Sequence, residues 1–555
     1  MENIDNAAAV PDALSAGNEQ MFPILTPEQI ERVRAHGRVR QISEGEVLIE
    51  AGDQVVPFFL VTRGRVEVVR PSGDGETHIT DHGPGQFTGE VNMLSGRRTF
   101  GRSRVIESGE VIEMDREHML ALVQTDFELG EIIMRAFILR RVNLIKGQFG
   151  DVVVMGSLHC GHTLAVKEFL IRNGHPYSYI DLDHETDVQE MLDRFHVGIG
   201  DIPVVICRGD VVLRNPTNAQ IADCLGFNDS IDLTQVRDVV IIGAGPAGLA
   251  AAVYAASEGL DTLVLETNSP GGQAGSSSRI ENYLGFPTGI SGQELADRAY
   301  NQAQKFGTQF VIAKGARQLV CERIPYAIRI ENSTTVLART VIIASGADYR
   351  KLPLHNLSKF VGLGVYYAAT FMESQVCGGE EVIVVGGGNS AGQAAVFLAG
   401  TAKHVHLLIR SDGLSDTMSK YLIRRIEDNP AITLYAHTEI TDLEGGMHLE
   451  SVHWRNNQTA EAETRPLRHV FIMTGATPST AWLDGCVVLD EKGFIKTGPD
   501  LSQDDLAGRN WPLARAPYLL ETSLPGVFAV GDVRCGNIKR VASAVGEGSI
   551  AISLV

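Results

Sequence analysis

Val239-Val240-Ile241-Ile242-Gly243-Ala244-Gly245-Pro246-Ala247-Gly248 decides the fold of the C-terminal half. A β-branched run that reads as a buried strand enters a glycine turn, and an apolar helix follows. Val382-Ile383-Val384-Val385-Gly386-Gly387-Gly388-Asn389-Ser390-Ala391 repeats the pattern. One glycine fingerprint is weak evidence, but two strand–turn–helix copies point to two dinucleotides, a flavin and a nicotinamide exchanging electrons. In such a turn the glycines let the backbone approach a pyrophosphate, and the helix N-terminus supplies free N–H groups. The next strand after the first turn, Thr262-Leu263-Val264-Leu265, ends in Glu266, an acid suited to a ribose hydroxyl pair. Its counterpart after the second turn ends in Arg410, which suits a 2′-phosphate and favours NADPH over NADH.

The rest of the chain sets the context. A length of 555 residues allows about three to five domains. With 48 basic and 68 acidic side chains the net charge is −20, which disfavours nucleic acid as a partner. The first twenty residues lack a basic region followed by an apolar one, so no secretory signal is expected. No apolar run is long enough to span a membrane, and a cytoplasmic location follows as the expectation. The seven cysteines are odd in number and scattered, which fits reduced thiols better than a disulfide framework. No metal-ligand cluster is read. The last residues, Ile550 to Val555, read as helix, and the chain is expected to continue beyond them.

The pattern predicts a multidomain protein. Residues 1–20 read as a disordered tail. Residues 21–147 begin with a helix capped by Thr26-Pro27, then give short strands with turns at Ala51-Gly52-Asp53 and Arg63-Gly64, and end in a helix near Phe127 to Leu144. That is a small β-barrel or jelly roll with helices. Residues 151–228 are a compact α/β module with strands at Val152–Met155, Tyr179–Leu182 and Val204–Ile206. Two Rossmann-like α/β dinucleotide-binding domains follow, the FAD-binding one at 236–349 and 475–555, interrupted by the NAD(P)H-binding one at 350–474.

Further motifs fall in order along residues 236–555: Gly271-Gly272-Gln273, Glu281-Asn282-Tyr283, Ala344-Ser345-Gly346-Ala347 and Val530-Gly531-Asp532. In this combination the segment resembles the low-molecular-weight thioredoxin reductase family. The resemblance implies Gly243, Gly245, Pro246, Ala247 and Gly248 at the FAD pyrophosphate and Glu266 at the adenosine ribose. It implies Gly272, Gln273 and Asn282 on the flavin side, Ala344 and Gly346 at the cofactor in a match to the family's ATGA turn, Asp532 at the ribityl chain, and Val541 opening a helix toward the flavin pyrimidine. Gly386, Gly388, Asn389, Ser390, Ala391 and Arg410 would form the nicotinamide site. Of the family's HRRxxxR pattern only Arg410 remains, with Ser415 in place of the last arginine. The family's redox CxxC is absent: Ala368 and Phe371 stand at its two cysteine positions, and neither forms a thiolate.

The α/β module resembles a glutaredoxin or thioredoxin. Cys160-Gly161-His162-Thr163 matches the CxxC placement, with threonine for the second cysteine, and Ile202-Pro203 matches the facing cis-proline. Cys160 is the candidate catalytic thiol, since a helix N-terminus favours the reactive thiolate; a docking module with an incidental cysteine is the other reading. Residues 21–147 resemble a cyclic-nucleotide-binding domain through Phe87-Thr88-Gly89-Glu90. That implies Glu90 at a ribose and Arg102, or Arg98, at a cyclic phosphate. The expected function is NAD(P)H-dependent flavin oxidoreduction toward a redox protein or small-molecule acceptor, in a homodimer. A ferredoxin or flavodoxin reductase-like activity, and a redox or cyclic-nucleotide sensor, are the alternatives.

Overall fold

The computed structural model describes residues 18–555 apart from 55, 73–74, 91, 147–151, 158–159, 183–200, 208–210, 230, 278, 331–333, 368, 370, 447, 484 and 510. Val239 to Ile242 lie in the strand Val236–Ile242, and all four are buried. The strand pairs in parallel with Thr262–Glu266 on one side and Thr335–Ile343 on the other. Flanked on both sides, it has no solvent-facing edge, which is why its residues need no polar alternation. Gln309–Ile312 extends the sheet beyond Thr262–Glu266. At the far side, Val527–Ala529 pairs in parallel with the end of Thr335–Ile343, and an antiparallel hairpin pairs with its beginning.

The chain leaves this sheet along Ala347–Tyr349 and returns along Ala476–Pro478, and the two strands pair antiparallel. Between them a second parallel sheet runs in the order Val365–Tyr366, His469–Ile472, Glu381–Val385, His404–Leu408, Ile432–Tyr435. Each sheet carries one of the two glycine turns at the end of a central strand.

In the middle module the sheet order is Ser178–Asp181, Val152–Gly156, Val204–Cys207, Val211–Arg214. The fourth strand was not legible in the sequence, because three of its residues are only half-buried and it ends in Arg214. The helix Gly161–Arg172 packs on the sheet with Cys160 at its N-cap. Ile202–Pro203 is cis.

The N-terminal domain is an antiparallel sheet of five strands behind the helix Pro27–Arg34, whose Thr26 and Gln29 form a capping box. Three expectations need correction. First, Arg63-Gly64 is not a reversal. One strand runs through it from Phe58 to Ser72, with register shifts between Val61 and Val66. Gly64, at φ +89°, bends the strand as a bulge. Second, residues 18–20 of the expected disordered tail belong to the helix Asn18–Met21, while 1–17 lie outside the described residues. Third, not every cysteine is a thiol: Cys321 and Cys486 form a disulfide, 165 residues apart in sequence. Folding brings the two segments of the interrupted α/β unit together, which no local spacing reveals. No helix among the described residues is long and apolar enough to cross a membrane.

The middle module does not stand apart. Val154, Val166, Phe169 and Phe227 belong to the same buried cluster as Val239, Ala247 and Val264. A polar seam joins the N-terminal domain to this body. Arg97 lies 4.1 Å over the Phe227 ring and donates to Asn173 O and Tyr300 Oη at 3.2 and 3.1 Å. Near it, burial pushes the Asp297 carboxyl up to about 7, although Gln293 donates to it and Arg172 and Arg141 draw it down. An unfolded aspartate titrates at about 3.9, so the native state holds the extra proton between the two values. This group's contribution to stability is therefore greatest in acid and is lost as pH rises through about 7. Asp297→Asn is expected to raise stability at pH 8 by roughly 1–2 kcal/mol and to flatten melting temperature against pH between 5 and 8. Parallel profiles for the two proteins would refute this.

Candidate active site

The first turn is shaped by three glycines. Gly243 sits at φ +103°, where a Cβ would meet Ala344 O at 2.4 Å. A Cβ on Gly248 would lie 1.9 Å from Gly243 O, so this residue sets how closely the helix Pro246–Ser257 packs on its strand. Gly245 caps that helix with no side-chain bond to its first N–H groups, which leaves the N-terminus open to an anion. Gly272, at φ +53°, closes the turn from the other side, since a Cβ there would lie 3.0 Å from Gly245 Cα. Glu266 is buried at the end of its strand and accepts from Ala244 N at 2.7 Å and Asn268 N at 2.8 Å. Burial raises its carboxyl and those bonds oppose the rise.

Gly243, Gly245, Gly272 and Glu266 open onto a cleft of about 1170 Å³, while Gly248 lies behind the turn and does not line it. Pro246, Ala247, Ala344 and Gly346 line it, with Gln273, whose Nε2 donates to Ala347 O. Asn282 reaches it from an exposed loop. Gly531, Asp532 and Val541 line it too, the last opening the helix Val541–Ser553, and a Cβ on Gly531 would lie 3.0 Å from Ala247 Cβ. Burial raises the Asp532 carboxyl, with Lys539 opposing.

Asn389 and Ser390 of the second turn line the same cleft. Gly386, at φ +140°, lets the turn pass Met473 O, and Gly388 caps the helix Asn389–Leu398. Ala391 is buried behind the turn rather than in the cleft. Arg410 is exposed past the strand His404–Leu408. Arg425, on an exposed face of its helix, bridges to Glu281 at 2.5 Å and ties the second α/β unit to the first.

Cys160 and His162 also line the cleft, although they belong to the middle module. The contact is close: a Cβ on Gly161 would lie 3.0 Å from Gly362 Cα. Ala368 lies outside the described residues, and of Phe371 only its place at the start of the helix Phe371–Val376 is described. The three side chains that the resemblance places at a cyclic nucleotide have protein partners. Glu90 is half-buried beside Arg141 at 3.5 Å. Arg98 pairs with Asp229 at 2.8 Å, and Arg102 with Glu50 at 2.8 Å and with Glu76. Sequence reading missed Arg97 and Arg172, since neither belongs to a dinucleotide motif and both act across module boundaries.

A family model described as Pyridine nucleotide-disulphide oxidoreductase matches residues 237–548, and one described as Cyclic nucleotide-binding domain matches residues 39–126. Thioredoxin reductase of Bacillus subtilis (strain 168) is 32% identical over 322 residues, which cover 58% of this chain and 94% of that protein. NADPH-dependent thioredoxin reductase 3 of Arabidopsis thaliana is 31% identical over 360 residues; the match takes 62% of this chain and spans 64% of that protein. Among solved structures, Lactococcus lactis thioredoxin reductase in the FR conformation superposes with a TM-score of 0.51 at 29% identity, covering 57% of this chain and 97% of its own.

Proposed function

We propose, from the premise that the chain belongs to the pyridine nucleotide-disulphide oxidoreductase family, that it carries electrons from NADPH through FAD to a disulfide-bearing acceptor, and that Cys160 is the thiol that meets this acceptor. FAD and NADPH are its cofactors. The residues present fit FAD: an open helix N-terminus at Gly245, a cradle at Gly243 and Gly272 that a Cβ would fill, and a buried acid at Glu266. These would hold the diphosphate and ribose, and Asp532 the ribityl chain. Gly386, Gly388, Asn389 and Ser390 would hold NADPH, with Arg410 at its 2′-phosphate. Bound there, FAD supplies a two-electron relay between a nicotinamide and a disulfide.

The observation that carries this reading is continuity: Cys160, Asn389 and Asp532 line one cleft. There the Cys160 thiolate attacks one sulfur of an acceptor disulfide, and the other sulfur leaves as a thiolate. A hydride equivalent from NADPH and a solvent proton then convert the mixed disulfide into two thiols. The resemblance places no dithiol at Ala368 and Phe371, so the middle module would replace it. A redox protein or a small disulfide would serve as acceptor. A cyclic nucleotide at Glu90, Arg98 and Arg102 would have to displace their present partners. Those partners therefore support the N-terminal domain as a docking module.

Anaerobic titration of the purified protein with NADPH tests the proposal through the visible flavin band. One equivalent is expected to bleach it. Bound flavin that stays oxidised with both NADPH and NADH would overturn the electron path and favour the sensor reading.

A further inference from the structure

The middle module contributes a cation to the cleft wall. Arg172 is the last residue of the helix Gly161–Arg172, and its side chain is only 12% exposed. Its Nη2 donates to Gly272 O at 2.7 Å, and its Nη1 lies 3.3 Å from Glu168 Oε1. Its Nε is buried and has no hydrogen-bond partner. The backbone behind it is anchored as well, since Gln293 Nε2 donates to Arg172 O at 3.4 Å. The guanidinium is packed so closely on the first α/β unit that a Cβ on Gly275 would come within 3.1 Å of Nη2.

Its place relative to the glycine turn is what matters. Gly272, which accepts from Arg172, is the residue that closes against Gly245. Arg172, Gly245, Gly272 and Glu266 line one cleft. The charge is felt there, because Arg172 opposes the burial-driven rise of the Glu266 carboxyl. A guanidinium whose side chain is only 12% exposed keeps its charge at a cost that an anion in the cleft would offset. Its planar fork is the side-chain shape best matched to phosphate oxygens. A helix N-terminus offers dipolar donors to a diphosphate but no full charge.

The geometry points to Arg172 as a cation that holds the diphosphate–ribose half of FAD, supplied by a module that precedes the matched oxidoreductase segment 237–548. The inference rests on the assignment of FAD to the first glycine turn. It makes flavin retention depend on the middle module, apart from any part that module plays through Cys160.

The test is FAD binding by full-length apoprotein, followed by flavin fluorescence, for wild type, Arg172→Met and Arg172→Gln. Both variants are expected to bind FAD about 10- to 100-fold more weakly. The slope of their affinity against salt should also be shallower than that of wild type, as expected when a charge contact is lost. Apoprotein melting is the fold control, and Arg172→Gln, which keeps a donor for Gly272 O, is read alone if Arg172→Met does not fold. FAD affinity within twofold of wild type in a folded variant would overturn the inference while leaving the FAD site in place. A wild type that does not bind FAD would instead remove the site and this inference with it.

Discussion

Cys160→Ser is expected to lose disulfide reduction by at least about 1,000-fold while NADPH still bleaches the flavin as in wild type. A serine hydroxyl can neither attack a disulfide as a thiolate nor leave a mixed disulfide. Cys160 lies at the N-cap of the helix Gly161–Arg172 and lines the cleft, and none of the described hydrogen bonds of the fold uses its side chain. The substitution should therefore leave flavin content and melting unchanged. The measurement is anaerobic half-reaction kinetics, NADPH to flavin in one arm and flavin to an aromatic disulfide in the other. Disulfide turnover within tenfold of wild type would move the acceptor step away from this thiol and revive the reading of a ferredoxin or flavodoxin reductase-like activity.

Gly248→Ala should empty the protein of flavin. The single added carbon would lie 1.9 Å from Gly243 O and 3.3 Å from Ala344 Cβ. Both groups belong to the turn and strand that the helix Pro246–Ser257 packs against, so relief requires the helix to back away. That motion widens the space where Gly243, Gly245 and Gly272 converge, and donors placed for a diphosphate lose their aim. FAD affinity is expected to fall roughly 100-fold, about 2.7 kcal/mol, and the purified protein to come off the column colourless. The ratio of flavin to protein absorbance measures this directly, with circular dichroism as a check on the fold. A variant that keeps stoichiometric flavin would show that the close approach is dispensable.

The sequence was most legible where function presses the backbone into one shape. Val239 to Gly248 and Val382 to Ala391 each combine a doubly flanked strand with a turn that only glycine fits, and composition reports both. Thr26 and Pro27 were readable for the same local reason. Legibility failed where partners come from afar. Nothing near Cys321 announces Cys486, because the pairing depends on how an interrupted α/β unit closes. Arg63-Gly64 has the composition of a turn, and only the neighbouring strand Arg102–Met114 shows that it is a bulge. Arg98 and Arg102 were candidates for a cyclic phosphate only through the resemblance, and no local pattern announces their partners Asp229, Glu50 and Glu76. Arg172 ends an ordinary amphipathic helix, and its reach to Gly272 O crosses 100 residues of chain.

The buried cluster that Phe169 and Phe227 share with Val239 and Ala247 bears on how this gene product can be cut and recombined. Modules strung on flexible tethers can be exchanged like beads, each keeping its own melting curve. Here a deletion ending near residue 230 would strip Phe169 and Phe227 from the cluster and expose apolar surface of the first α/β unit. What remained would be a wounded body prone to self-association, and the excised piece would lack a face to bury. A breakpoint on the N-terminal side of residue 151 keeps this cluster whole and cuts the polar seam of Arg97 instead.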